Sequence, residues 1–166
     1  MKPELNDALR FVNPVHAEIF DKDGNFKSAH DCVNGIVDQG IAYMLNRAFN
    51  SAADEANWYI GLLAATPTLA AADTMASNSW TEFSAYSSPA ARPAWGNGAA
   101  ATRAVTNAAT LDFTISGGSS TVAGIFMATV ATISSTSGTL WATAEFSSPA
   151  TVTGGDVLKV TYTVSG

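Results

Sequence analysis

Apolar and polar positions alternate along much of this chain. Val15, Ala17 and Ile19 occupy every second place among His16, Glu18 and Phe20, the period of a strand with one buried face. Asp21-Lys22-Asp23-Gly24-Asn25 follows, and Asp-Gly is a strong hairpin-turn dipeptide. Residues Phe26 to Val33 then run back as the second strand. The period next lengthens. Val37, Ile41, Met44, Leu45 and Ala48 recur at intervals of three and four, which predicts a helix from about Ile36 to Phe49 with one apolar face. Asn34 is placed to cap it, and Asp38 early with Arg47 late suits the helix dipole. Gly40 weakens a helix interior by about 1 kcal/mol relative to Ala, so its presence points to close approach of a sheet.

Trp58 to Leu63 is short, apolar and aromatic, and reads as a buried strand. From about Ala64 to Gly98 the periodicity is lost. Pro67, Pro89 and Pro93 lie here with the aromatics Trp80, Phe83, Tyr86 and Trp95. The expectation is a long irregular loop, a feature usually retained for function, with one helical turn at Asp73–Ala76 capped by Asp73. Alternation returns at the end: the predicted strands are Thr110–Ser116, Thr121–Val130, Thr139–Phe146 and Val157–Ser165, separated by glycine- and serine-rich turns. These elements predict a mainly β protein: an antiparallel β-sandwich or barrel, jelly-roll-like, with one short α-helix packed on it. Residues 1–14 read as an N-terminal arm and 15–166 as a single β-rich domain, with the helix at about 35–49.

Composition narrows the function. Only 13% of residues are charged, about half the usual 25%. After Ala104 the charged side chains are Asp112, Glu145, Asp156 and Lys159 alone. A Ser/Thr surface costs little side-chain entropy to immobilise and suits contact with other protein. The net charge of −6 comes without a basic stripe, which argues against nucleic acid and against anionic membrane surfaces. Cys32 is the single cysteine, so no disulfide forms within the chain. No apolar signal-peptide core or membrane-length run is present in the sequence, and the expected setting is soluble.

The search for chemistry returns little. Asp21, Asp23 and Asn25 have the spacing of the first calcium ligands of an EF-hand loop, but Phe26 stands at the glycine position and Cys32 at the distal glutamate position. A hairpin turn explains them better. His30 and Cys32 can share a strand face, yet no partner motif completes a nucleophilic site. His16 and His30 fall on the two arms of the hairpin and can lie opposite each other, but zinc needs further ligands. Glu82 and Glu145 are isolated carboxylates whose meeting in a cleft would revive an enzyme reading. We therefore expect no catalysis, no metal and no cofactor. The loop aromatics Trp80, Phe83, Tyr86 and Trp95 can fill the core, anchor a protein interface or bind a ligand. In the arm, Leu5, Leu9 and Phe11 are candidate interface residues, able to dock on the body or on a neighbour.

Several segments carry a family likeness: Trp58-Tyr59-Ile60-Gly61-Leu62, Ala72 to Ser77, Trp80-Thr81-Glu82-Phe83, Tyr86 through Arg92-Pro93-Ala94-Trp95, Gly138 to Ala144, and Gly155 to Val160. With these segments the chain resembles, from about Val15 onward, a group of small tailed-phage virion proteins. The resemblance implies a capsid decoration (cement) protein made in the host cytoplasm and bound in many copies to the virion surface. Its implied partners are the major capsid protein and further copies of itself, as a homo-dimer or homo-trimer. A tail or head–tail component, and a carbohydrate-binding adhesion module on the virion, are the alternatives.

Overall fold

The computed structural model describes residues 13–55 and 57–166. The first two strands are the predicted hairpin, β1 (Asn13–Phe20) and β2 (Phe26–Ile36). Asp21 builds its turn: one carboxylate oxygen accepts the backbone N–H groups of Asp23 and Asn25, each at 2.9 Å. Gly24 takes φ +84°, a conformation costly for residues with a Cβ. The helix α1 (Asp38–Phe49) follows directly, and then β3 (Tyr59–Thr68). The segment expected to be loop holds two strands, β4 (Ser79–Phe83) and β5 (Tyr86–Ser88). After β6 (Ala104–Thr106) come β7 (Leu111–Ile115), β8 (Ser120–Ala128), β9 (Leu140–Val152) and β10 (Val157–Ser165).

The strands pair in the order β4-β3-β8-β9-β2-β1-β10-β7-β5, with β6 on the end of β10. All pairs are antiparallel. The path folds on itself at β2, which pairs with β1 along its length and with β9 through Gly35 and Ile36. At the far side β4 and β5 are consecutive in the chain, joined by Ser84 and Ala85. The result is sandwich-like, with β1, β10, β7 and β5 in one layer and β9, β8, β3 and β4 in the other.

Alternation along the strands fills the space between the layers. Val15, Ala17 and Ile19 of β1, Phe113 and Ile115 of β7, and Leu158, Val160 and Tyr162 of β10 meet Ile60, Leu62, Val122, Ile125, Met127, Ala142 and Ala144. Each large apolar side chain so buried contributes roughly 1.5–3 kcal/mol. The second layer is also covered outside, where Leu63, Phe126, Ala128 and Leu140 pack under Val37, Met75, Leu69 and Trp80. This accounts for the unbroken burial of Val122–Ala128 in β8, since a strand covered on both faces has no polar side.

Three expectations need correction. The helix starts at Asp38 behind Val37, which makes no side-chain capping bond. Asn34 is instead buried in β2, where its amide donates to the Tyr162 hydroxyl. Asp73–Ala76 forms bends and no helical turn, and Asp73 accepts the Ala70 N–H at 3.0 Å. Most informatively, α1 turns Ile41, Leu45 and Ala48 of its expected apolar face outward, while Val37 and Met44 of that face pack inward. The side toward the sheet carries buried Gly40 with partly buried Tyr43 and Met44, while Ile41, Leu45 and Phe49 are exposed. Gly40 decides this orientation. A Cβ there would lie 2.3 Å from the Trp141 carbonyl oxygen, so the helix backbone rests against β9 along this side.

The irregular segment is fixed by one buried ion pair. The Arg92 guanidinium donates through Nε and Nη2 to the two Glu82 carboxylate oxygens, both at 2.8 Å, and through Nη1 to the Val130 carbonyl at 2.8 Å. It also lies 4.9 Å from the centroid of the Phe126 ring. A bidentate pair with its remaining donors occupied offsets the cost of taking both charges out of water.

Candidate functional site: an aromatic pocket at one end of the sandwich

The sheet topology gathers aromatic residues from distant parts of the sequence at one end of the sandwich. Trp58 immediately precedes β3, Trp141 lies in β9, Tyr43 comes from α1, and Trp95 follows β5. Trp95 is held twice: its backbone N–H donates to the Trp58 carbonyl at 2.7 Å, and its indole N–H to the Tyr162 carbonyl at 3.1 Å. Trp58 stands edge-on to Trp141 at 5.6 Å and to Tyr43 at 5.2 Å between ring centroids, geometries favoured by ring quadrupoles.

These residues line an open cavity of about 500 Å³, with Met44, Met127, Val105 and Val164 completing its apolar part. That volume lies in the range of small-ligand sites. Polar groups stand at the cavity wall. Arg47 pairs with Asp54, the Tyr43 hydroxyl accepts the Glu55 N–H at 3.0 Å, and Asn57 and Asn97 also line the space. An arrangement of ring faces with a few amides and carboxylates can receive a sugar face or an aromatic side chain.

The other candidate residues fall elsewhere. Phe83 and Tyr86 are buried at 4% and 6% exposure, as is the pocket residue Trp95 at 7%; Tyr86 packs edge-on to Phe113. Trp80 is partly buried and stacks at 4.8 Å on Phe126. Leu5, Leu9 and Phe11 lie outside the described residues. His16 stands opposite Asp31 and His30 opposite Ala17, so the two histidines project from opposite faces of the hairpin. His16 hydrogen-bonds Asp31 at 2.6 Å, which raises its pKa above the usual histidine value. His30 packs against Phe146 and bonds Ser28 and the Ser148 carbonyl. Cys32 is packed against the core, and burial pushes its thiol up to about 12. Glu82 is bound to Arg92, whereas Glu145 is exposed on β9 and lines a separate depression. Among the described residues no group of three or more His, Cys, Asp or Glu is arranged to hold a metal ion. No helix there is long and apolar enough to cross a membrane.

Trp58, Trp141 and Tyr43 were not singled out in the sequence. The first two read as ordinary strand residues and Tyr43 as a helix position, and only the strand order brings them together.

Residues 39–164 match the family described as podophage GP4 fiber I protein gp80. The chain belongs to this family. The match spans α1 to β10, so gp80-family membership covers the helix, the pocket and most of the sandwich. It makes the chain a structural protein of a phage virion. No curated protein matches the sequence.

Proposed function

We propose that this gp80-family chain is a non-enzymatic structural subunit of a fibre or other tail-associated part of the virion. The observation that carries the reading is the family match over residues 39–164, whose description names a fiber protein. The low charge of the β7–β10 region supports it, because a Ser/Thr surface is easily desolvated and immobilised against neighbouring subunits. The partners in this reading are further copies of the chain and adjacent tail or neck proteins, held by many modest contacts that multiply when several subunits engage together. Decoration of the head, with the major capsid protein as partner, is the competing assignment within the same virion role. Quantitative mass spectrometry of purified particles separates them. A small fixed number of copies, retained on isolated tails, supports the fibre reading. A count near that of the capsid subunit, on heads without tails, would replace it with decoration.

The aromatic pocket favours a second reading, in which this subunit holds a saccharide. Trp58 is partly exposed at the cavity and stands edge-on to Trp141. In that case surface glycans of the host quench tryptophan fluorescence, and Trp58→Ala abolishes the quenching while the fold melts unchanged. Absence of quenching by such glycans would rule it out.

A further inference from the structure

The aromatic pocket has an acidic wall. Asp54 and Glu55 line it together with Arg47. Among the described lining residues Arg47 is the only cation, and Asp54 already engages its guanidinium. The Glu55 carboxylate has no ion-pair or hydrogen-bond partner among the described residues, since only its backbone N–H is bonded. The wall is therefore left with one carboxylate in excess beside a cluster of rings. We propose that the pocket takes a saccharide bearing a protonated amine, a hexosamine whose nitrogen is not acetylated, and disfavours acidic sugars. This rests on the saccharide reading above and adds the charge that selects among saccharides.

The rings supply the apolar half of the fit. Trp58 is inclined at 62° to Trp141 and at 86° to Tyr43, so neighbouring ring planes form corners rather than one flat platform. A sugar ring can lie on one plane while a substituent meets the next. The face of each ring carries negative charge density, which attracts an ammonium group and repels an anion. The acidic half is held in place by the same rings. The Tyr43 hydroxyl accepts the Glu55 N–H at 3.0 Å, and Tyr43 packs edge-on against Trp58. Glu55 is thus tied to the ring cluster, next in sequence to the Asp54–Arg47 pair. A carboxylate beside ring faces adds its own attraction for an ammonium and its own repulsion for a uronate. The net charge of −6 acts in the same sense at longer range. A neutral N-acetyl sugar keeps the ring contact and loses only the charge contribution, so the contrast between amine and acetamide isolates the proposal.

Tryptophan-fluorescence titrations of the full chain test it with three probes: glucosamine oligomers, the same oligomers fully N-acetylated, and galacturonic acid oligomers. Low ionic strength and a mildly acidic buffer keep the amines protonated and the carboxylates ionised. The expected order of affinity is amine, then acetamide, then uronate. Glu55→Gln should weaken the amine oligomer by about two- to fivefold, the worth of one exposed ion pair, and leave the acetylated one unchanged. Added salt should act with the same selectivity. Glu55 is exposed, so the variant should melt as wild type does. Equal affinity for amine and acetamide, an unchanged preference in Glu55→Gln, or tightest binding of the uronate would each overturn the inference while leaving the saccharide reading in place. Binding of none of the three would overturn both.

Discussion

Replacing Gly40 by Ala opposes two physical effects of known sign. Helix propensity alone predicts a gain of about 1 kcal/mol, since glycine is a poor residue for a helix interior. The packing predicts a loss. The new methyl group would lie 2.3 Å from the Trp141 carbonyl oxygen and 2.9 Å from Cγ2 of Ile36. The oxygen is not free to withdraw, because it accepts the Val37 N–H at 3.1 Å at the helix start. The adjacent Leu140 N–H donates to Gln39 at 2.8 Å, so the helix is fastened to β9 on both sides of the clash. Relief requires α1 to move outward by about an ångström, at an overpacking cost of typically 1–3 kcal/mol, with the Val37 bond worth about another 1 kcal/mol. After the propensity gain is subtracted, Gly40→Ala should destabilise by roughly 1–3 kcal/mol. In a domain of this size that lowers Tm by about 2–10 °C. Urea unfolding followed by tryptophan fluorescence gives the free energy, and Ala42→Gly on the exposed side of the same helix calibrates the propensity scale. A Gly40→Ala protein as stable as wild type, or more so, would refute the close approach of α1 to β9.

Other consequences concern buried and titrating groups. Arg92→Met leaves the Glu82 carboxylate buried without its partner and should cost roughly 3–5 kcal/mol, with Arg92→Met/Glu82→Met costing much less than the sum of the single changes; denaturant melts of the three variants check this. His16 should titrate above 6.5 in the folded chain because Asp31 accepts its hydrogen bond, and Asp31→Asn should return it toward 6.5 in an NMR titration. Since the folded pKa is the higher one, the stabilisation is full below 6.5 and is lost as pH rises through the folded value. Cys32, with its thiol at about 12, should resist alkylation at pH 8 in the native protein and react promptly once unfolded.

Local order was legible wherever it rests on a strict period or on a turn residue. Alternation fixed β1, β7 and β10, Asp23-Gly24 fixed the hairpin, and Gly40 announced the contact of the helix with the sheet. The span Ala64–Gly98 was less legible, because β4 and β5 are edge strands of five and three residues. Such short pieces carry too few alternations to register as a period. Their place is set by pairing with β3 and β7 and by the Arg92–Glu82 pair, whose partners ten residues apart give no local signal.

The sequence by itself determined that this chain is mainly β with one helix and low in charge, because those properties follow from local periodicity and residue type. Tertiary structure alone decided which side of α1 meets the sheet, since the backbone contact at Gly40 sets its orientation and leaves Ile41 and Leu45 of the expected apolar face exposed. It also decided that Tyr43, Trp58, Trp95 and Trp141 share one pocket, since they meet through antiparallel pairing of strands far apart in the chain, and such pairing is a property of the closed fold with no counterpart in any local stretch of residues.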